Sequence, residues 1–230
     1  MSDREAQKRA AAERAVELVQ SGMRLGLGTG STARHVLDVI GERLSRGELQ
    51  DIVGVATSTA TEQQARALRI PIRTLDEVKQ LDLGIDGADE VDPQLNLIKG
   101  LGGALLWEKI VASACEQFIV VGDDSKLVKR LGSKAPVPVE VVAFGWSTHL
   151  DAFAELGAHP TLRTKPDGSA FWTDGGHYII DCAFADGIAN PYELEAELKS
   201  RAGVVETGLF LDMTSQVIVA DPAGARTLGR

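Results

Sequence analysis

Short apolar runs alternate along this chain with longer stretches of helical spacing, and that alternation predicts most of the elements. Residues 5–20 repeat apolar positions at helical intervals until Ser21 and Gly22 break the pattern. Met23 to Leu27 then read as a short strand, running into Gly28-Thr29-Gly30-Ser31-Thr32 and a helix over about 32–44. Ile52 to Val55 form a second strand. Ser58 opens the next helix, which ends at Leu68, with Thr59 and Glu62 spaced as a capping box. Ile70 to Arg73 read as a third strand. Leu81 to Ile85 form a fourth, leading into Asp86-Gly87-Ala88-Asp89-Glu90. A helix over about Gly103 to Glu116 precedes a fifth strand, Phe118 to Val121. Strands and helices alternating at this spacing predict an α/β fold, a Rossmann-like parallel sheet with helices on both faces.

After Gly132 the pattern changes. Pro136 to Val142 read as a strand and 147–157 as a helix. Strand-like runs flank the Gly175-Gly176 turn between Phe171 and Asp181, and a helix spans Pro191 to Arg201. This predicts a smaller α+β lobe over 132–203, inserted into a catalytic domain of 1–131 and 204–230. The chain returns to that domain through Val204-Val205 and Gln216 to Val219.

Composition narrows the function. No run of eighteen uncharged apolar residues is present, and the charged start leads straight into helix without the apolar core of a signal peptide. A soluble, cytoplasmic protein is expected, with no membrane partner. The net charge of −9 argues against a nucleic-acid partner, because a phosphate backbone is bound through an excess of Lys and Arg. Cys115 and Cys182 lie far apart with no Cys-x-x-Cys pair, so neither a zinc site nor a disulfide framework is expected.

In an open parallel sheet, ligands bind beyond the carboxyl ends of the strands. Gly28 to Thr32 offer flexible backbone, amide donors and hydroxyls at a helix start, an environment suited to phosphate. The alternative is a plain glycine turn with Ser31 or Thr32 as the N-cap. Gly28-x-Gly30-x-x-Ala33 also matches a dinucleotide fingerprint, but the second strand ends Val55-Ala56-Thr57-Ser58 without the acidic residue that would hold a ribose. Four carboxylates lie within Asp86 to Asp92; Asp86 and Asp89, beside small Gly87 and Ala88, are the better site candidates, and Glu90 and Asp92 read as a solvated turn. Glu108 stands in a helix apolar on nearly every side. It is either a buried general base, because burial raises a carboxyl pKa, or a residue facing solvent or a lysine. Lys99 and Lys126 are candidate partners for a phosphate or a developing enolate. His35, His149, His159 and His177 show no ligand spacing and read as surface or packing residues, so no metal site is expected.

Taken in order, Gly28-Thr29-Gly30-Ser31-Thr32, Asp86-Gly87-Ala88-Asp89-Glu90, Lys99-Gly100-Leu101-Gly102-Gly103-Ala104-Leu105 and Glu108-Lys109-Ile110 resemble ribose-5-phosphate isomerases of the A type. The likeness extends through Gly122 to Lys126, Pro136 to Glu140 and Gly203 to Phe210. It implies interconversion of ribose 5-phosphate and ribulose 5-phosphate through an enediolate, without a cofactor, in the pentose phosphate pathway. Glu108 matches the family's base, Asp86 and Asp89 the two aspartates that handle ring opening and hydroxyl protons, and Lys99 the lysine near the sugar oxygens. Thr29, Gly30, Ser31, Thr32, Lys126 and Lys8 match substrate-binding positions, as do Gly87, Ala88, Gly100, Leu101 and Gly102. A homodimer or homotetramer is implied as well. Leu101 interrupts a glycine run, and Trp107 stands where an arginine often precedes the glutamate.

Overall fold

Strands of four to nine residues, most with a short buried apolar stretch, make up the main sheet. A computed structural model of the chain describes residues 3–229. In chain order its elements are α1 (Asp3–Val16), β1 (Arg24–Leu27), α2 (Ala33–Ser45), β2 (Val53–Ala56), α3 (Thr59–Ala67), α4 (Leu75–Val78) and β3 (Leu81–Gly87). There follow β4 (Glu90–Val91), β5 (Leu97–Ile98), α5 (Leu105–Ser113), β6 (Cys115–Asp123), a 3₁₀ turn (Asp124–Lys126), β7 (Val137–Val141), α6 (Thr148–Glu155) and β8 (His159–Leu162). The chain ends with β9 (Tyr178–Ala183), α7 (Pro191–Lys199), β10 (Val204–Thr207), β11 (Leu209–Phe210), β12 (Gln216–Asp221) and β13 (Gly224–Gly229).

Two compact units result. The first comprises Met1–Ala88, Trp107–Lys126 and Met213–Arg230. Its sheet has the order β13-β12-β6-β3-β1-β2, parallel throughout except for the β12–β13 hairpin. Alternation along the strands sorts the two faces. Leu25, Leu27, Leu83 and Ile85 point into a core shared with Ala11, Ala15, Val36, Leu37 and Ile40 of α1 and α2. The intervening residues, Gly26 and Gly84, are register partners on the other face.

That glycine pair sets how closely α5 lies on the sheet. A Cβ on Gly26 would stand 2.8 Å from Val111 Cγ1, and one on Gly84 would stand 2.6 Å from Cys115 Sγ. Val111 and Cys115 therefore fill a trough that only two glycines leave open. Cys115 Sγ donates to Val111 O at 3.1 Å, closing the turn from α5 into β6.

The second unit comprises Asp89–Leu106 and Leu127–Asp212. It holds an antiparallel sheet of order β10-β7-β9-β8 and a small one of order β11-β5-β4. Val137, Val139, Val141, Ile180, Phe153 and Leu198 form its core. The sequence drew the smaller lobe as 132–203. In the structure 89–106, 127–131 and 204–212 also belong to this unit; β10 pairs with β7 and β11 with β5 rather than with the larger sheet.

Local expectations fail at a few points. Ile70 to Arg73 make only an isolated bridge, Gly54 to Ile72, since Pro71 has no N–H for a ladder. Phe171 to Thr173 are not a strand. Ser58, not Thr59, caps α3, accepting from Thr61 N at 3.1 Å, and the capping box lies instead at Thr74 and Glu77. Among the described residues no helix is long and apolar enough to cross a membrane.

Candidate active site

In the first unit, β1, β3 and β6 lie side by side, and their carboxyl ends collect the candidate residues. Gly28 N continues the ladder to Ile85 O at 3.0 Å. A Cβ on Gly28 would fall 2.2 Å from Asp86 Oδ1 and 2.5 Å from Asp86 Cα, so glycine here is what lets the Asp86 carboxylate lie across the β1 loop. Asp86 is 1% exposed. Its Oδ1 accepts the amides of Thr29 at 3.0 Å and Gly87 at 2.7 Å. Gly87 sits between Thr29 O and Val121 O, where a Cβ would touch both at 3.8 and 3.9 Å.

The Thr29 side chain is engaged within the protein. Its hydroxyl turns inward to Thr57 Oγ1 (2.7 Å), Ser58 Oγ (2.8 Å) and Thr61 Oγ1 (3.0 Å). Thr57 and Thr61 donate in turn to Leu27 O (3.0 Å) and Gly28 O (2.9 Å). This buried hydroxyl cluster ties the β1 loop to the start of α3. The signal for it was present in the sequence, in the hydroxyl residues Thr57, Ser58, Thr59 and Thr61 straight after the second strand, but they were read only as a helix start. Gly30 has φ +111°, a left-handed conformation that swings the loop into α2. Ser31 is exposed and Thr32 buried; Thr32 takes the N-cap position but makes no side-chain cap.

Glu108 is 5% exposed in the first turn of α5, next to Lys109 at 9%. The buried reading of the sequence therefore holds for this residue, although Ile110, at 48% exposure, shows that the helix has an open side. Glu108 lies three residues before Val111, on the same helical face and about 4.5 Å along the axis. Val111 is seated on Gly26, so this face of α5 packs on the side of the sheet to which Gly26 and Gly84 turn.

Lys126 closes the 3₁₀ turn after β6, its Cγ 3.3 Å from where a Cβ on Gly122 would be. The turn is fixed by Asp123, 2% exposed, which accepts from Ser125 N at 3.1 Å and from the Ser125 hydroxyl. Lys8, on α1, donates to Glu5 Oε1 at 2.7 Å, and the other Glu5 oxygen meets His35 Nε2 at 3.0 Å.

The second unit carries Asp89, Lys99 and the glycine-rich loop. Asp89 N donates to Ile98 O at 2.8 Å, and Asp89 Oδ2 accepts from Leu101 N at 2.9 Å. Lys99 is 2% exposed, with Nζ 5.5 Å from the centre of the Phe210 ring. Gly100 (φ +102°) and Gly103 (φ +86°) bend the intervening chain, leaving Leu101 exposed at its tip. Glu90 corrects the reading of a solvated acidic turn. It is fully buried and accepts the amides of Gly132 (2.6 Å), Lys134 (2.5 Å) and Ala135 (2.7 Å). Asp92 is also buried, accepting from Gln94 N and Asn96 N at 2.9 Å each. Among the described residues no group of His, Cys, Asp and Glu is arranged to hold a metal ion.

These features sit on a chain that matches the ribose 5-phosphate isomerase A (phosphoriboisomerase A) family model over residues 53–224. This chain belongs to the ribose 5-phosphate isomerase A family. It is 54% identical to the ribose-5-phosphate isomerase A of Gloeobacter violaceus over 222 residues, covering 96% of this chain and 95% of that one. It is 46% identical to the Deinococcus radiodurans enzyme of that name, over 99% of this chain and 100% of the other. Among solved structures, a D-ribose-5-phosphate isomerase in complex with phospho-erythronic acid superposes with a TM-score of 0.96 at 42% identity, covering 99% of each chain. Ribose 5-phosphate isomerase from Plasmodium falciparum gives a TM-score of 0.95 at 39% identity, over 98% of this chain and 99% of that one.

Proposed function

We propose that this chain interconverts ribose 5-phosphate and ribulose 5-phosphate with Glu108 as the base that carries the proton between C2 and C1. It is a sugar-phosphate isomerase. One observation carries the assignment of Glu108: its carboxylate is buried in the first turn of a largely apolar helix whose Val111 packs on Gly26 of the central sheet. A carboxylate kept out of water is the kind of group that takes a proton from carbon.

The remaining residues then take roles by their chemistry. Asp86 and Asp89 open the furanose ring and move the hydroxyl protons. Lys99 faces the oxygen on which charge grows in the enediolate. Gly87, Ala88, Gly100, Leu101 and Gly102 offer backbone to the sugar. The phosphate lies against Gly30, Ser31 and Thr32, at the positive end of the α2 dipole, with Lys126 and Lys8 as its cations. Thr29 contributes by anchoring that loop through its hydroxyl rather than by offering that hydroxyl to the substrate. The reaction needs neither a metal nor a nucleotide. A sugar acid such as phospho-erythronic acid supports this reading, since its planar carboxylate imitates an enediolate. The same reading places the enzyme in the cytoplasm, in the pentose phosphate pathway, as a homodimer or homotetramer; light scattering measures that last point.

The test is Glu108→Gln, which keeps shape and packing but cannot accept the proton. The variant should fold, bind the sugar phosphate and lose roughly 10²–10⁴-fold in kcat. In heavy water the wild type should place solvent deuterium on the carbon that is reprotonated, and the variant only at its residual rate. Near-normal turnover, or loss of all binding, would demote Glu108 to a structural residue.

A further inference from the structure

Arg163, on the segment after β8, holds the glycine-rich loop from behind. Its Nη1 donates to two successive carbonyls, Gly100 O at 2.9 Å and Leu101 O at 3.0 Å. The rest of the guanidinium is engaged by one carboxylate: Nε donates to Asp181 Oδ2 at 2.8 Å and Nη2 to Asp181 Oδ1. Phe171 lies under it, 5.8 Å from ring centre to guanidinium carbon, and the tip of that ring fills the space beside Gly103 where a Cβ would be 2.5 Å away. The Arg163 side chain is 12% exposed and that of Asp181 20%, so this is not one of the solvated surface pairs that contribute little.

The geometry at the loop has a direction. The peptide between Gly100 and Leu101 is gripped at both ends, its C=O by Arg163 and its N–H by Asp89 Oδ2 at 2.9 Å. In the next peptide the Leu101 C=O is held by Arg163, and because the bond is trans, the Gly102 N–H points to the opposite side. We infer that Arg163, locked by Asp181, is a positioning residue: it orients the Gly100–Gly102 backbone and the Asp89 carboxylate so that the Gly102 N–H and Asp89 meet the oxygens of the sugar. This rests on the reading above that the loop touches substrate. Only a planar fork serves two carbonyls and a two-point carboxylate at once, so lysine cannot replace it.

The experiment compares wild type, Arg163→Met, Arg163→Lys and Asp181→Asn by steady-state kinetics with ribose 5-phosphate, by thermal melting and by inhibition with a sugar-acid phosphate. Arg163→Met should lower kcat on the order of 10–100-fold with KM changed less than about threefold, because the groups it orients act most strongly on the charge of the transition state. Inhibition by the sugar acid should weaken in step with kcat. Arg163→Lys keeps the charge and tests the fork if the Met variant does not fold; it should still lose at least about tenfold in kcat, with Asp181→Asn falling between it and wild type. Wild-type kcat in the Lys variant, or a kcat loss matched only by a fall in melting temperature with sugar-acid inhibition unchanged, overturns the positioning role. No turnover in the wild type would instead defeat the functional reading itself.

Discussion

Replacing Glu90 with Gln removes one oxygen and one charge from a fully buried group, and the structure allows the consequence to be worked out. The carboxylate accepts three main-chain amides, from Lys134 and Ala135 on Oε1 and from Gly132 on Oε2. Gln keeps one oxygen, which retains the first two contacts as neutral hydrogen bonds; a charge-assisted bond contributes about 1.5–3 kcal/mol and a neutral one about 1, so each weakens by roughly 1 kcal/mol. The new NH₂ then faces the Gly132 N–H, a donor against a donor, and a buried amide left unsatisfied costs about 1–3 kcal/mol. The sum is a loss of about 3–5 kcal/mol, a large share of the 5–15 kcal/mol typical of a folded protein. Urea denaturation followed by tryptophan fluorescence reads it, since Trp146 and Trp172 belong to the same unit as Glu90. A change below about 1 kcal/mol would refute the reasoning, because the three amides would then have to be satisfied by something other than the charge.

Gly28→Ala should be far more damaging than a surface glycine replacement, because the new Cβ would meet not only the Asp86 carboxylate at 2.2 Å but also Asp86 Cα at 2.5 Å, which is backbone and cannot rotate aside. Overpacking of this kind costs about 1–3 kcal/mol or more, and activity should fall further than the melting temperature indicates; an active, stable variant would contradict the fit. His149 is 2% exposed and stacks on Phe153 at 5.3 Å, and burial, then the neighbouring Arg201, holds its pKa below the ordinary histidine value. The folded state thus prefers the neutral ring, so its stability is complete above the ordinary value and declines as pH falls from there through the lowered one. His149→Asn should flatten that acid limb of the denaturation midpoint, and an unchanged slope would show that another group sets it. Activity should survive exhaustive EDTA treatment; a loss restored by added metal would sink the metal-free mechanism.

Most of the first unit was legible because β1, β2, β3, β6 and β12 are built on short apolar runs and α2 carries an apolar stripe; Ile70 to Arg73, over-read as a strand, and β13, nearly all exposed, were not. The second was harder for a physical reason. β4, β5 and β11 are two residues long, too short for any period to register, and together with the β10–β7 pairing they tie 89–106 and 204–212 to this unit. Among the candidate residues, Glu108 announced itself as an acid in an apolar helix. Glu90 did not, because the amides that satisfy it come from 132–135, more than forty positions away, and local polarity alone reads as solvation. The clash that keeps Gly28 a glycine and the trough between Gly26 and Gly84 are invisible for the same reason: each depends on atoms brought there by a different strand.

The four-hydroxyl cluster has a consequence for binding thermodynamics. Thr29 is cross-linked to Thr57, Ser58 and Thr61 before any ligand arrives, and the amides of Thr29 and Gly87 are already spoken for by Asp86. Fixing a backbone residue costs about 1–2 kcal/mol of conformational entropy. For the β1 loop that entropy is lost when the chain folds, so the phosphate proposed to dock there would meet a receptor of fixed shape. Binding there should carry little ordering penalty, and hydrogen exchange at Thr29 should be nearly as slow in the free protein as in the liganded one.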